Sequence, residues 1–114
     1  MLFQEDHIEQ IRSGEKTATR RDWSRKSAKE GGVYMATTSL FTSHDECDCY
    51  IRATSVEQQT LGDMTEEDAQ KEGGYTLAEF RETWEAINGE GSWNPGAEVW
   101  IVEFEYVGED QPDQ

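Results

Sequence analysis

Gly14-Glu15-Lys16-Thr17-Ala18-Thr19-Arg20-Arg21 is the stretch from which the rest of the chain is read. Upstream of it, Phe3, Ile8 and Ile11 have helical spacing. Glu5 and Asp6 fall at the start, where the helix dipole favours negative charge. Gly14 suits the left-handed position just after a helix. The pattern predicts a helix over 5–13 that stops at the stretch. From Lys16 to Arg21 the residues alternate, with Thr17, Thr19 and Arg21 on one side and Lys16, Ala18 and Arg20 on the other, which predicts a short strand. The region also holds a charge anomaly. Seven of the ten Lys and Arg residues lie between positions 12 and 29, opposed only by Glu15 and Asp22, a net +5. The remaining three cations and 23 acids net −20, in a chain whose total is −15. Nearly all the positive charge surrounds one segment, and that segment is the expected ligand site.

The totals frame this reading. A chain of 114 residues predicts one domain, large enough for a single core. The expected domain runs over 1–107, followed by a disordered acidic tail over 108–114. Mean hydropathy is low, at −0.89, but four Trp, four Tyr and four Phe supply large buried areas. No apolar run approaches the ~18 residues of a membrane span, and charges begin at Glu5, so no signal segment is read. A cytoplasmic monomer with no membrane partner is expected. The 25 acids and a pI near 4.3 suit a surface adapted to high intracellular salt, where charges are screened over ~3 Å near 1 M, and the plainer alternative is an ordinary acidic cytosolic protein. That surface resembles those of halophilic archaeal proteins. Cys47 and Cys49 form no disulfide framework, and His44-Asp45-Glu46-Cys47-Asp48-Cys49 has metal-ligand residue types without a recognised spacing. A hairpin tip with packed thiols is expected there, and neither metal nor cofactor.

Beyond the opening stretch, 22–32 reads as a charged loop. Val33–Phe41 and Cys47–Val56 read as an antiparallel hairpin around a turn at 42–46. Thr65 with Glu66, Glu67 and Asp68 predicts a capped helix that ends at Gly73-Gly74. Thr76 and Glu79 form a capping box, with Tyr75 and Phe80 as its hydrophobic staple. The helix that follows carries a stripe of Leu77, Phe80, Trp84 and Ile87 and ends at Asn88-Gly89. After a turn over 90–96, Glu98–Val107 reads as a central strand. The expected fold is α+β, a small mostly antiparallel β-barrel with about three helices packed on it.

Lys16, Thr19 and Arg21 are the first chemical candidates. Lys and Arg bind phosphate or a polarised carbonyl, and a Thr hydroxyl can act as a nucleophile beside a base. The plainer reading is a solvated basic strand with Thr chosen for β-propensity. Glu72, at a helix end beside two glycines, is by itself one acid among 25. Trp84 and Trp100 read as core, whereas Trp23 and Trp93 lie in loops and can stack on bases. His7, on an acidic helix, and His44, in a turn, read as surface residues.

Gly14-x-Lys16-x-x-Thr19-x-Arg21 after a short helix resembles the G-x-K-x-x-[ST]-x-R signature of the ASCH domain family. The resemblance continues in family order through Leu61-Gly62-Asp63-Met64-Thr65, the helix with Ala69 and Glu72, Trp84, Asn88-Gly89, Trp93-x-Pro95 and Val99–Phe104, nearly the whole chain. It implies a PUA-like barrel whose motif lines a cleft for RNA or a nucleotide-like ligand. Arg20, Arg21, Trp23 and Trp93 are the expected ligand contacts, with no specificity for DNA. One branch of the family hydrolyses the amide of N4-acetylcytidine with a Lys, a Thr and a Glu, which fall here on Lys16, Thr19 and Glu72. The loop over 22–32 is longer than in the compact amidohydrolases, and the Trp93-Asn94-Pro95 loop belongs with other branches, among them small archaeal proteins. Binding, amidohydrolysis, ribonuclease action and docking on an acidic partner all follow from the same cluster.

Overall fold

The computed structural model describes residues 1–38 and 49–109. Helix α1 (Glu5–Ser13) has its acids in the first turn and Gly14 as its cap at φ 83°, with the Gly14 amide donating to the Ile11 carbonyl. A residue with a Cβ is strained at that angle, so the glycine fixes where the helix stops. The chain then enters β1 (Ala18–Arg21). Strands β2 (Val33–Ala36) and β3 (Cys49–Thr60) form the expected antiparallel pair, and β4 (Glu98–Gly108) lies between β1 and β3. The sheet order is β1-β4-β3-β2, antiparallel throughout, and it curls into a half-barrel. The N-terminus spans its open side. The Phe3 amide donates to the Thr37 carbonyl at 2.8 Å, just beyond β2, while Arg21 of β1 donates to the Leu2 carbonyl at 2.6 Å.

Helix α2 (Glu66–Lys71) starts with a capping box between Thr65 and Asp68, and α3 (Leu77–Asn88) starts with the one expected between Thr76 and Glu79. The staple forms too, with the Tyr75 and Phe80 rings 6.0 Å apart. One apolar cluster joins α1 to the sheet through Ile8, Ile11, Ile51 and Phe104. A second joins α2 and α3 to the start of β4 through Ala69, Phe80, Trp84 and Val99. A third gathers Ala28, Ala53, Val56 and Val102.

Two expectations fail on packing. Strand β3 continues to Thr60 instead of ending at Val56, because Glu57–Thr60 pair with Ile101–Glu98 of β4 even though their side chains are polar. Register shifts at Tyr50/Ile51 and Ala53/Ser55 also break the strict alternation of its faces, so Cys49, Tyr50 and Ile51 are all buried. Ile87, expected in the core stripe of α3, is 48% exposed. Strand β2 stops at Ala36, short of the expected Phe41, and Thr37 makes an isolated bridge with Leu2 instead. Phe41, the turn over 42–46, His44, Cys47 and the tail past 109 lie outside the described residues.

Candidate functional site

The opening stretch is held by α1 and by the end of α2 before any ligand is considered. The Lys16 amide donates to the Gln10 carbonyl at 3.0 Å, and the Thr17 amide donates to the Lys71 carbonyl at 2.7 Å. Gln10 Nε2 donates to the Gly73 carbonyl at 3.2 Å. Gly74 sits at φ 78°, and a Cβ there would meet Glu15 Oε1. The Gly73-Gly74 pair therefore lets the motif pass close against the end of α2, which places Glu72 beside it. Lys16 Nζ donates to the Glu72 carbonyl at 2.8 Å and to Glu72 Oε1 at 3.3 Å. Arg20 donates to Glu72 Oε2 at 2.7 Å and to Gln59 Oε1 at 2.8 Å, and lies 3.6 Å from Asp68. Lys16, Arg20 and Glu72 are all buried.

Around this cluster is a cavity of about 540 Å³. Lys16, Thr19, Arg20, Arg21 and Glu72 all line it. Thr19 and Arg21 from one face of β1 and Arg20 from the other all reach it, and among the described residues β1 is at the edge of the sheet. Phe3, Phe80 and Trp84 supply apolar wall, while Leu2 and Ile87, exposed at 41% and 48%, form an apolar rim. The exposure of Ile87 thus has a place in the site. Three cations (Lys16, Arg20, Arg21) are balanced by three carboxylates (Glu5, Asp22, Glu72), so the lining carries no net charge. Among the described residues, Arg21 is the cavity cation that makes no ion pair. Its Nε donates to Thr19 Oγ1 at 3.2 Å, and its guanidinium lies 4.8 Å from the centre of the Phe3 ring.

Burial shifts the basic groups. It holds the Lys16 ammonium below the usual lysine range, against the opposing pull of the Glu72 carboxylate and with further push from Arg21 and Arg20. Arg21 is lowered by burial as well, with Glu72 opposing. His7 is lowered to about 4, chiefly by burial and then by Lys16.

Every residue expected to be catalytic is thus in one concave site, and so is Arg21. Arg20 lines it too, but its guanidinium is engaged with Glu72, Gln59 and Asp68. Trp23 and Trp93 do not line it. Trp23 packs on the cluster of Ala28, Ala53, Val56 and Val102, and Trp93 packs edge-on against Phe80 and Trp84 beneath Arg81. Trp84, read as core, is both core and cavity wall. His7 corrects an expectation: it is buried, lines the cavity, and its Nε2 lies 2.7 Å from the Tyr75 hydroxyl. Its position in line with Ile11, one turn on, was the available signal. No group of three or more His, Cys, Asp or Glu among the described residues is placed to hold a metal. None of the helices there is long and apolar enough to cross a membrane.

A half-barrel with three helices and a motif-lined cavity defines a small α+β domain of the PUA-like kind. The ASCH domain model matches residues 1–108, and the chain belongs to that family. Among solved structures, the ASCH domain of Lactobacillus crispatus JV V101 has a TM-score of 0.72 at 18% identity, over 95% of this chain and 78% of that one. A protein of Enterococcus faecalis V583 gives 0.63 at 23% identity, over 89% and 66%. The ASCH protein of Zymomonas mobilis gives 0.61 at 10%, over 96% and 71%. Identities this low carry the fold and nothing finer. No curated protein matches the chain.

Proposed function

We propose that the cavity binds one nucleoside unit, either free or as a base of single-stranded RNA. The observation that carries this reading is the make-up of the cavity: a polar floor of Lys16, Thr19 and Glu72, apolar walls and rim, and no net charge. A volume of about 540 Å³ lies within the roughly 300–1,000 Å³ usual for small-molecule sites. Charge balance favours a neutral heterocycle with polar edges over a polyphosphate. The −20 carried outside the basic window also opposes a long nucleic-acid footprint, whose affinity grows with the phosphates neutralised. Arg21, free of any ion pair among the described residues, is the natural partner for a single phosphate or a carbonyl. Because we read the acidic surface as adapted to salt, the assay belongs in molar as well as dilute salt. Titration with cytidine and cytidine monophosphate, followed by the fluorescence of Trp84 at the wall, is expected to saturate. Arg21→Ala is expected to weaken the monophosphate about tenfold more than the nucleoside. Absence of saturable binding by the wild type counts against the reading.

A second reading, hydrolysis of the amide of N4-acetylcytidine, is favoured by one contact, the buried Lys16–Glu72 pair at 3.3 Å beside Thr19. Burial lowers the Lys16 ammonium, which makes a neutral amine base easier to reach. In this scheme Lys16 takes the proton of Thr19 or of a water, and the oxygen adds to the acetyl carbonyl. Arg21 stabilises the oxyanion, the C–N bond breaks, and the proton passes by way of Glu72 to the departing amine of cytidine. Where water added, acetate is the other product; where Thr19 added, an acetyl ester of Thr19 remains, and a water that gives its proton to Lys16 adds to it and breaks the C–O bond to Thr19, so that acetate leaves and the Thr19 hydroxyl takes back a proton. Wild type is expected to release cytidine at least about 100-fold faster than Thr19→Ala. Equal rates would sink this reading and leave binding intact.

A further inference from the structure

Neither reading uses the loop over 23–32, which joins β1 to β2 and is tied down at several points. The Gly31 amide donates to the Ala53 carbonyl at 2.7 Å, and the Ala53 amide donates to the Gly32 carbonyl at 2.9 Å. The Lys29 amide donates to the Tyr34 hydroxyl at 2.9 Å, and Ala28 is buried. From this frame Arg25, Lys26 and Lys29 stand exposed. Lys26 pairs with Glu30 at 3.1 Å, across two side chains more than 40% exposed, which is a weak tie. Arg25 and Lys29 make no ion pair among the described residues. Lys26 and Lys29 both line a hollow of about 360 Å³ with Tyr34 in its wall, so the two charges border one concave space. The loop nets +2, from three cations and one acid, whereas the rest of the chain holds seven cations and 24 acids. In so acidic a chain, cations left without a carboxylate suit an anion from outside.

The loop also lies next to the cavity. Thr19 is opposite Val102 and Arg21 opposite Trp100 across β1 and β4, so these four side chains share one face of the sheet. Val102 and Ala28 belong to one apolar cluster, against which Trp23 and Trp100 pack. The loop is therefore laid over the same face that sends Thr19 and Arg21 to the cavity. Asp22 lines that cavity, and three or four residues of chain span at most about 11–14 Å, which bounds how far Arg25 and Lys26 stand from it. We infer that this loop is a phosphate-binding platform, on which Arg25, Lys26 and Lys29 hold the backbone of a single-stranded RNA whose base sits in the cavity. The inference rests on the nucleoside reading above and decides between its two forms, in favour of the strand. A free nucleoside needs no cations outside the cavity. An acidic peptide would meet the same three cations but brings no base for the cavity beside them.

The experiment compares cytidine monophosphate with a cytidine trinucleotide, on the full chain and on the triple variant Arg25→Gln, Lys26→Gln, Lys29→Gln. In dilute salt the wild type is expected to bind the trinucleotide about tenfold more tightly than the monophosphate. The variant is expected to bring the two within about twofold while its affinity for the monophosphate stays unchanged. Its slope of log affinity against log salt for the trinucleotide is expected to be shallower by about 1. In 1 M salt the wild-type preference is expected to vanish, because exposed charges are then screened over about 3 Å. A trinucleotide preference that survives in the variant overturns the inference and leaves the nucleoside reading standing. So does displacement of the trinucleotide by hexaglutamate at equal concentration, which would mark a surface for acidic peptides. Should the variant not fold, the wild type decides alone: backbone amide resonances over 25–29 are expected to move with the trinucleotide and not with the monophosphate. Trinucleotide binding that leaves them unmoved overturns the inference. Binding of neither probe overturns both readings.

Discussion

Replacing Glu72 with Ala lowers the stability of the domain by about 3–5 kcal/mol, the expected loss when a buried ion pair is broken from one side. Glu72 is the carboxylate that Lys16 and Arg20 share, at 3.3 Å and 2.7 Å, and all three side chains are at most 3% exposed. Without it two cations are left buried, repelling each other at short range. Asp68, 26% exposed and 3.6 Å from Arg20, offers only partial compensation. A loss of this size moves the melting temperature by on the order of 10 °C or more for a domain of this length. The exposed pairs behave differently. Lys26–Glu30 and Arg52–Glu105 have every side chain more than 40% exposed, so water and salt screen them and removing a partner changes stability little. Urea titration separates the cases through the midpoint at constant slope. The triple change Lys16→Met, Arg20→Met, Glu72→Leu is expected to lose less than Glu72→Ala, because apolar replacement removes the desolvation penalty along with the attraction. A Glu72→Ala domain within 1 kcal/mol of wild type would mean that the cations find other partners, and the cluster would lose its claim to hold the site together.

How legible this site was depends on whether its partners are neighbours in sequence. Helix α1, the Gly14 cap and the capping box at Thr76 were readable because each is a local pattern of charge, φ or side-chain oxygen spaced by one turn. The pairing of Thr19 with Arg21 was readable for the same reason, since strand alternation puts them on one face. Glu72 was not, because spacing cannot choose one acid among 25; it was named only through the family's residue pattern. What singles it out physically is the Thr17–Lys71 backbone bond and the two glycines that let the elements touch, and both are long-range. Arg20 was placed on the ligand because its charge was visible and its partners Gln59 and Asp68 were not. Ile87 fitted a core stripe by period, but a period cannot say where the covering sheet ends and a cavity begins. His7 was assigned to the surface from its acidic neighbours, although a helix spaces surface and core within the same turn.

The second large effect follows from that misplaced histidine. Stability is expected to fall by about 3 kcal/mol between pH 6.5 and pH 4 through His7 alone. In the folded chain its pKa is lowered to about 4 from an ordinary 6.5. Between those values the unfolded chain takes up a proton that the folded chain refuses, so acid favours unfolding. The full stability is present above pH 6.5, it is lost as pH falls toward 4, and below that both states are protonated and the loss levels off. Carboxylates titrate near the lower end of the same window, so the measurement is the difference between wild type and His7→Gln, in which those contributions largely cancel. Free energies of unfolding taken at intervals from pH 7 to pH 4 should give a wild-type curve steeper than that of the variant, with the gap opening below 6.5 and flattening near 4. Parallel curves would mean that the imidazole accepts its proton in the folded state as readily as in the unfolded one. In that case the ring would be charged in mild acid. The stability measurement needs no ligand, so it tests the state of His7 independently of what the cavity binds.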